Sequence, residues 1–314
     1  MPNTVYANFY LSNEVEDQFN SHLDLQRFCT VDRTLEGTAG MKRKINRYRA
    51  TNGTQKLSVG NGNTQTIAVS YAQREYDILL AQNRFEYYDE QAMTDPMLVP
   101  VGARHMGTDM FNTVNGDIYG EFAKATRILP VSSFDFAAFA DAMSMLNLEN
   151  LEDVNIFGFV CASDMAAIRK ALKDDLKYVE AFAKNGYVGT VAGVNLYTKK
   201  DATPGSIYIA TNAAVTLFIK KGTEVEQVTK NARSETAANT RLNTLFARKY
   251  YLAALTDETK DIHIASGVTA TQCASTETSV VSGTTYYAKD GVGYVEVTPE
   301  SGDNPYTKGW YKIA

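Results

Sequence analysis

The chain has 314 residues, 44% hydrophobic and 21% charged, which is enough core-forming material for one large domain or two ordinary ones. Its net charge of −5 argues against a protein that coats nucleic acid over most of its surface. Three widely spaced cysteines, Cys29, Cys161 and Cys273, with no CxxC, provide neither a disulfide framework nor a zinc knuckle, and no apolar run approaches the roughly 20 residues needed to span a bilayer.

The opening MPNTVYANFY has no basic segment followed by an apolar one, so the expectation is a chain without a signal peptide, made and used in a cytoplasm. Residues 1–36 are polar and mixed, with acids at Glu14, Glu16 and Asp17, and read as an extended arm with one short helix. From Gly40 to about Tyr88 the texture is β. Ile67, Val69 and Tyr71 alternate at period two, and so do Tyr76, Ile78 and Leu80. Turn signals at Thr51–Gly53 and Gly60–Asn63 separate that segment from a basic strand, which predicts a long hairpin.

This hairpin is the one anomaly of the sequence. No acid lies between Glu36 and Glu75, while Lys42, Arg43, Lys44, Arg47, Arg49, Lys56 and Arg74 are all basic. One reading is a nucleic-acid-binding strip in which Lys42, Arg43, Lys44, Arg47 and Arg49 meet phosphates and Tyr48 stacks. Another is protein contact, with the arm reaching onto an acidic patch of a second copy such as Glu86, Asp89, Glu90 and Asp95. A solvated loop is the plain alternative, opposed by the β-branched and aromatic positions after Gly62.

After the segment FEYYDEQAMTDP, Met106, Met110, Val114, Ile118 and Phe122 recur every four residues and predict a helix from about Met97 to Thr126. Asp95 is the expected N-cap and Pro96 the first helical residue, with Pro100 a source of a kink or late start. From Ser133 the chain becomes compact α/β: helix FDFAAFADAMSML, strand DVNIFGFVCA, helix SDMAAIRKALKDDL capped by Ser163, then strands in VNLYTKK, GSIYIATNAAVTLFIK and EVEQVTK. Thr240–Ile264 reads as a long strand. A Ser/Thr-rich linker then leads to a three-stranded β module whose small core is expected from Tyr286, Tyr287, Tyr294, Tyr306 and Trp310; sugar binding by these aromatics is the rarer reading.

Catalytic signals are absent from this pattern. GYVGTVAGV has the spacing GxxGxxxG and reads as turns between strands rather than a nucleotide loop. His22, His105 and His263 fall one to a region, and His22 with Cys29 has no scaffold to make a nucleophilic pair. The carboxylates after the hairpin read as solvated or ion-paired rather than as an acid/base pair. No catalytic, cofactor-binding or metal-binding residue is assigned.

The order of elements resembles the HK97-type (Hong Kong 97) fold of tailed-phage major capsid proteins over roughly residues 30–264. EGTAGMKRKINRYRATNGTQKLSVGNGNTQTIAVSYAQREYDI looks like that family's E-loop, FEYYDEQAMTDP like the approach to its spine helix, and TRLNTLFARKYYLAALTDETK like its late peripheral-domain segment. The resemblance implies an α+β fold with an N-terminal arm (1–36), an E-loop hairpin (37–92), a spine helix and peripheral domain (93–132), an axial α/β domain (133–235), a peripheral return strand (236–265), and a linker with a small C-terminal β module (266–314). It implies a structural protein without catalysis or cofactor, self-assembling through pentamers and hexamers into an icosahedral shell in the virion, built in the host bacterial cytoplasm. Implied partners are other copies of the chain, a portal, and double-stranded DNA held without sequence-specific contacts, but no membrane. Only some 36 residues precede the hairpin, so a separate scaffolding protein, or none, is implied. The alternatives are an encapsulin-like compartment shell, and a soluble nucleic-acid-binding protein using the 42–49 strip.

Overall fold

The computed structural model describes residues 23–37, 39–51, 53–148, 154–173, 189–228 and 235–314. The expected arm lies largely outside them, as do His22 and the start of GYVGTVAGV. A 3-10 turn at Leu25–Phe28 leads to β1 (Thr30–Asp32), and the hairpin follows as β2 (Lys42–Ala50) and β3 (Val69–Asp77). Next come β4 (Leu79–Tyr88), α1 (Asp89–Thr94), α2 (Leu98–Phe122), β5 (Arg127–Val131), α3 (Phe136–Leu146), β6 (Ile156–Val160) and α4 (Ala162–Ala171). The middle of the chain adds β7 (Thr190–Val191), β8 (Val194–Thr198), β9 (Ser206–Thr211), β10 (Val215–Val228), α5 (Glu235–Thr240) and β11 (Leu242–Leu255). The last strands are β12 (Asp261–Ser266), β13 (Ala270–Gln272), β14 (Tyr286–Asp290), β15 (Gly293–Val297) and β16 (Tyr311–Ile313).

Among the described residues three sheets result. One has the order β1-β10-β11-β4, a second runs β13-β16-β14-β15-β5-β12-β9-β6-β8-β7, and the arm β2-β3 stands as a sheet of its own. The strand expected over Thr240–Ile264 is therefore two strands. β11 pairs with β10 and β4, whereas β12 sits between β5 and β9 in the large sheet. The large sheet thus draws β5 and β12 from outside the 133–235 segment, while β10 from inside it lies in the four-stranded sheet.

Helix α2 joins the two sheets because its apolar stripe is longer than either can cover. Met106 and Met110 pack with Tyr87, Leu245 and Ala247 over the four-stranded sheet. One to three turns later, Val114, Ile118, Tyr119 and Phe122 enter a core with Phe28, Phe157, Phe159 and Leu217. At Gly102 the Phe85 ring lies where a Cβ would be, 2.5 Å away, so helix and strand approach closely only with glycine there. Asn115 is buried on the same stripe. It accepts from the Leu25 N–H at 3.2 Å and donates to the Leu23 carbonyl at 2.9 Å, tying the 3-10 turn to the helix.

Several expected details are corrected. α2 begins at Leu98, not at Pro96, and ends at Phe122, so its length is about 38 Å at 1.5 Å per residue. Pro100 falls in the first turn, where backbone N–H groups have no intrahelical acceptor, so no hydrogen bond is lost there. Asp95 instead accepts from the Met97 N–H at 3.0 Å, and α1 forms ahead of it with Asp89 and Glu90 in its first turn. α4 is capped by Cys161, whose Sγ accepts from the Asp164 N–H at 3.4 Å; β6 ends at Val160, so the helix starts before Ser163 can cap it. GYVGTVAGV ends in a tight β7–β8 turn with positive φ at Ala192 and Gly193.

The C-terminal module has four strands rather than three. The expected linker supplies β13 and the buried Cys273, which packs with Tyr286 and Trp310. Of the other expected core aromatics, Tyr306 is exposed and Tyr294 packs on Tyr311, with ring centroids 5.0 Å apart. The module joins the large sheet edge to edge through β15 and β5, which supplies the support that so small a core lacks.

Candidate intersubunit surface

The register of the arm divides β2 into two faces. On one, Lys42, Lys44, Asn46, Tyr48 and Ala50 stand opposite Asp77, Glu75, Gln73, Tyr71 and Val69. Lys42 Nζ lies 2.7 Å from Glu75 and 3.5 Å from Asp77, and Lys44 Nζ lies 3.6 Å from Glu75. Gln73 Nε2 donates to Asn46 Oδ1 at 3.0 Å. The ladder thus runs from ion pairs at the root, through an amide pair, to the Tyr48 and Tyr71 rings 6.1 Å apart near the tip. The hydrogen bond between Lys42 and Glu75 is the main cause that holds the Glu75 carboxyl below its usual range and the Lys42 ammonium above its own.

Arg43, Ile45, Arg47 and Arg49 occupy the alternate positions of β2. At the root this face meets the body: Arg43 Nη2 lies 3.4 Å from Asp32, its guanidinium sits 5.4 Å over the Phe218 ring, and Arg74 of β3 pairs with Glu258. Burial opposes ionisation of Asp32, but the Thr34 N–H and hydroxyl, and then Arg43, hold its carboxyl below the usual value. Lys220 donates to the Gly40 carbonyl, and Ile78, buried at the break between β3 and β4, donates to the Met41 carbonyl at 2.7 Å. The arm is therefore anchored at its base.

Beyond the root its apolar groups face water. Tyr48 and Tyr71 are each 67% exposed, and Leu57, Val59, Ile67 and Val69 are exposed as well. Such a run of uncovered apolar side chains on one projection is the mark of an association surface.

The four acids expected to receive a basic arm are engaged in their own chain. Glu86 accepts from the Thr244 hydroxyl at 3.4 Å and lies 3.7 Å from Arg84, while Asp89 accepts from Asn243 Nδ2 at 2.6 Å. Glu90 pairs with Arg241, and Asp95 takes the Met97 N–H. Asp89 and Glu90 fasten α1 to the start of β11. The structure brings Lys42, Arg43 and Lys44 to intrachain acids that were not expected, namely Asp32, Glu75 and Asp77, and it does not bring the arm to Glu86, Asp89, Glu90 or Asp95. The exposed tyrosine pair was missed as a functional feature, although both rings stand in the quoted hairpin. Among the described residues no group of three or more His, Cys, Asp or Glu side chains could hold a metal, and no helix is long and apolar enough to cross a membrane.

No family model matches the chain, and no curated protein matches it in sequence. Solved structures do match in fold. The capsid of the cyanophage P-SCSP1u aligns with 84% of this chain and 93% of its own at a TM-score of 0.63 and 13% identity. The mature capsid subunit of bacteriophage PhiM1 aligns with 85% and 92% at 0.63 and 10% identity. A virus-like particle from Pyrococcus furiosus aligns with 77% and 92% at 0.50 and 12% identity. The chain therefore has the HK97-like capsid fold, in which an extended β arm, a long helix and two mixed sheets are combined. At these identities the likeness establishes architecture and leaves function to the surface chemistry.

Proposed function

We propose that this protein is the major coat subunit of a tailed phage, a structural protein that assembles through pentamers and hexamers into an icosahedral shell around double-stranded DNA. The observation that carries this reading is the arm: rooted by Arg43, Arg74 and Ile78, yet exposing Tyr48, Tyr71 and Val69, which no described residue covers. A projection of that kind gains its burial from a second copy, and closed symmetry repeats the gain at every contact. A separate scaffolding protein and a portal are proposed partners, with assembly in the host bacterial cytoplasm. Chemistry plays no part in this role.

The higher TM-scores to phage capsids favour a phage coat over a compartment shell, and the contents of purified particles distinguish the two. The intrachain pairing of Lys42, Arg43 and Lys44 argues against the 42–49 strip as a phosphate track. Since Arg43 anchors the root, reversing it would disturb the arm itself; Tyr48→Glu with Tyr71→Glu is the cleaner test. The double variant is expected to keep the far- and near-ultraviolet circular dichroism of the parent but to sediment as unassembled protein. Normal shells from it would overturn the arm's role.

A further inference from the structure

Strand β12 lies in the interior of the ten-stranded sheet, between β5 and β9. Its Ile262 and Ile264 join the core on one face, so Asp261 and His263 share the opposite face with Tyr208 and Ala210 of β9. Asp261 is fully buried, and neither carboxylate oxygen has a donor in hydrogen-bond geometry among the described residues, although the Ile262 N–H lies close enough to favour the charged form slightly. His263 stacks on the Tyr208 ring at 4.8 Å, and its Nε2 is shut off from solvent without a partner among the described residues. Among the described residues the surroundings offer no compensating charge close by. β9 presents the phenol of Tyr208, α2 presents Tyr119 behind it with centroids 5.6 Å apart, and Lys199 after β8 sits over the Tyr119 ring with Asp201 at 3.7 Å. β5 places Ile128 beside His263; Arg127, at the opposite parity, is held by Asp290 and the Met145 carbonyl. In the turn before β12, Glu258 is paired with Arg74.

We propose that Asp261 and His263 are opposed proton latches on the β9–β12 seam, one closing it with a bound proton and the other by excluding one. Burial without a donor favours the neutral acid and the neutral imidazole alike. Opening the seam wets both groups and restores their ordinary ionisation. The two linkages have opposite sign. Burial raises the Asp261 carboxyl well above its usual value, so its stabilisation is complete below about pH 4 and is lost as pH rises towards its folded value. Burial lowers the His263 imidazole to about 4, so its stabilisation is complete above about pH 6.5 and is lost as pH falls through 4. Between those limits the two contributions offset one another. Above neutrality the His263 contribution is complete, and any remaining change is the loosening that comes from Asp261.

Two measurements on the full chain test this, and both work by mass spectrometry in particles of any size. Exchange of the imidazole C2 hydrogen reads each of the three histidines separately, and His263 is expected to titrate near pH 4. Amide exchange over peptides covering β9 and β12 reads the opening of the seam, and variant-to-parent ratios at each pH cancel the intrinsic rates. The ratio of parent to Asp261→Asn opening constants is expected to rise with pH above about 4, by at most about tenfold per pH unit, the size of one linked proton. The ratio of parent to His263→Phe is expected to fall by about the same factor between about pH 5 and 6.5. Titration of His263 near 6.5, or ratios that stay flat in pH, would overturn the proposal. Should Asp261→Asn not fold, the parent imidazole titration and the His263→Phe ratio still decide.

Discussion

Asn115 is the side chain whose removal tests the long-range ties of the fold most simply. It is 2% exposed and bonds to the backbone of Leu23 and Leu25, some ninety residues away in sequence, so it fixes where the chain enters the core. Asn115→Ala leaves the buried Leu25 N–H and the part-buried Leu23 carbonyl without this partner, which costs on the order of 1–3 kcal/mol. Urea unfolding should show that loss as a lower midpoint with an unchanged slope; a loss below about 0.3 kcal/mol would mean that the 3-10 turn does not depend on this contact. Asn115 gave no sign of this role in the sequence, because a polar residue in an apolar helical stripe reads as a solvent-side position until its partners are known.

At the scale of elements, the arm was the most legible part of the chain and its root the least. Every β2–β3 pair is symmetric about the Val59–Gly60 turn, where Asn61 donates to the Ser58 carbonyl at 3.1 Å and Gly60 has φ +88°. The glycine-rich turn signal therefore fixed the register, and with it Lys42 opposite Asp77 and Lys44 opposite Glu75. Arg43 with Asp32 and Arg74 with Glu258 are tertiary contacts that no local pattern marks. The four-residue repeat of α2 announced the helix, while its start moved by two residues because Asp95 and Gln91 serve the short α1 turn first. Between Ala50 and Val69 the hairpin is stitched within itself: Thr51 pairs with Ala68 at 2.9 Å and Asn63 donates to the Gly53 carbonyl. Replacing residues 51–68 by Asn-Gly should therefore close the Ala50–Val69 pair with a two-residue turn and change unfolding by no more than about 0.5 kcal/mol. The same variant should lose assembly, seen by sedimentation; a collapse in melting temperature would show instead that the tip packs on its own body.

At the scale of the whole molecule, two sheets and a bridging helix bury the core of the described residues, and no described residue covers the projecting arm. Its overall charge and its separated cysteines and histidines are consistent with function through shape and repetition. The HK97-like architecture was legible from the order of elements, whereas the sharing of β5 and β12 with the large sheet was not, because strand order is decided by non-local pairing. The most direct measurement of the central claim is light scattering behind a sizing column over a concentration series, with negative-stain images of the same fractions. The account predicts rings of five or six subunits, or closed shells. A folded species of 34.6 kDa at every concentration, with or without added scaffolding protein, would contradict it.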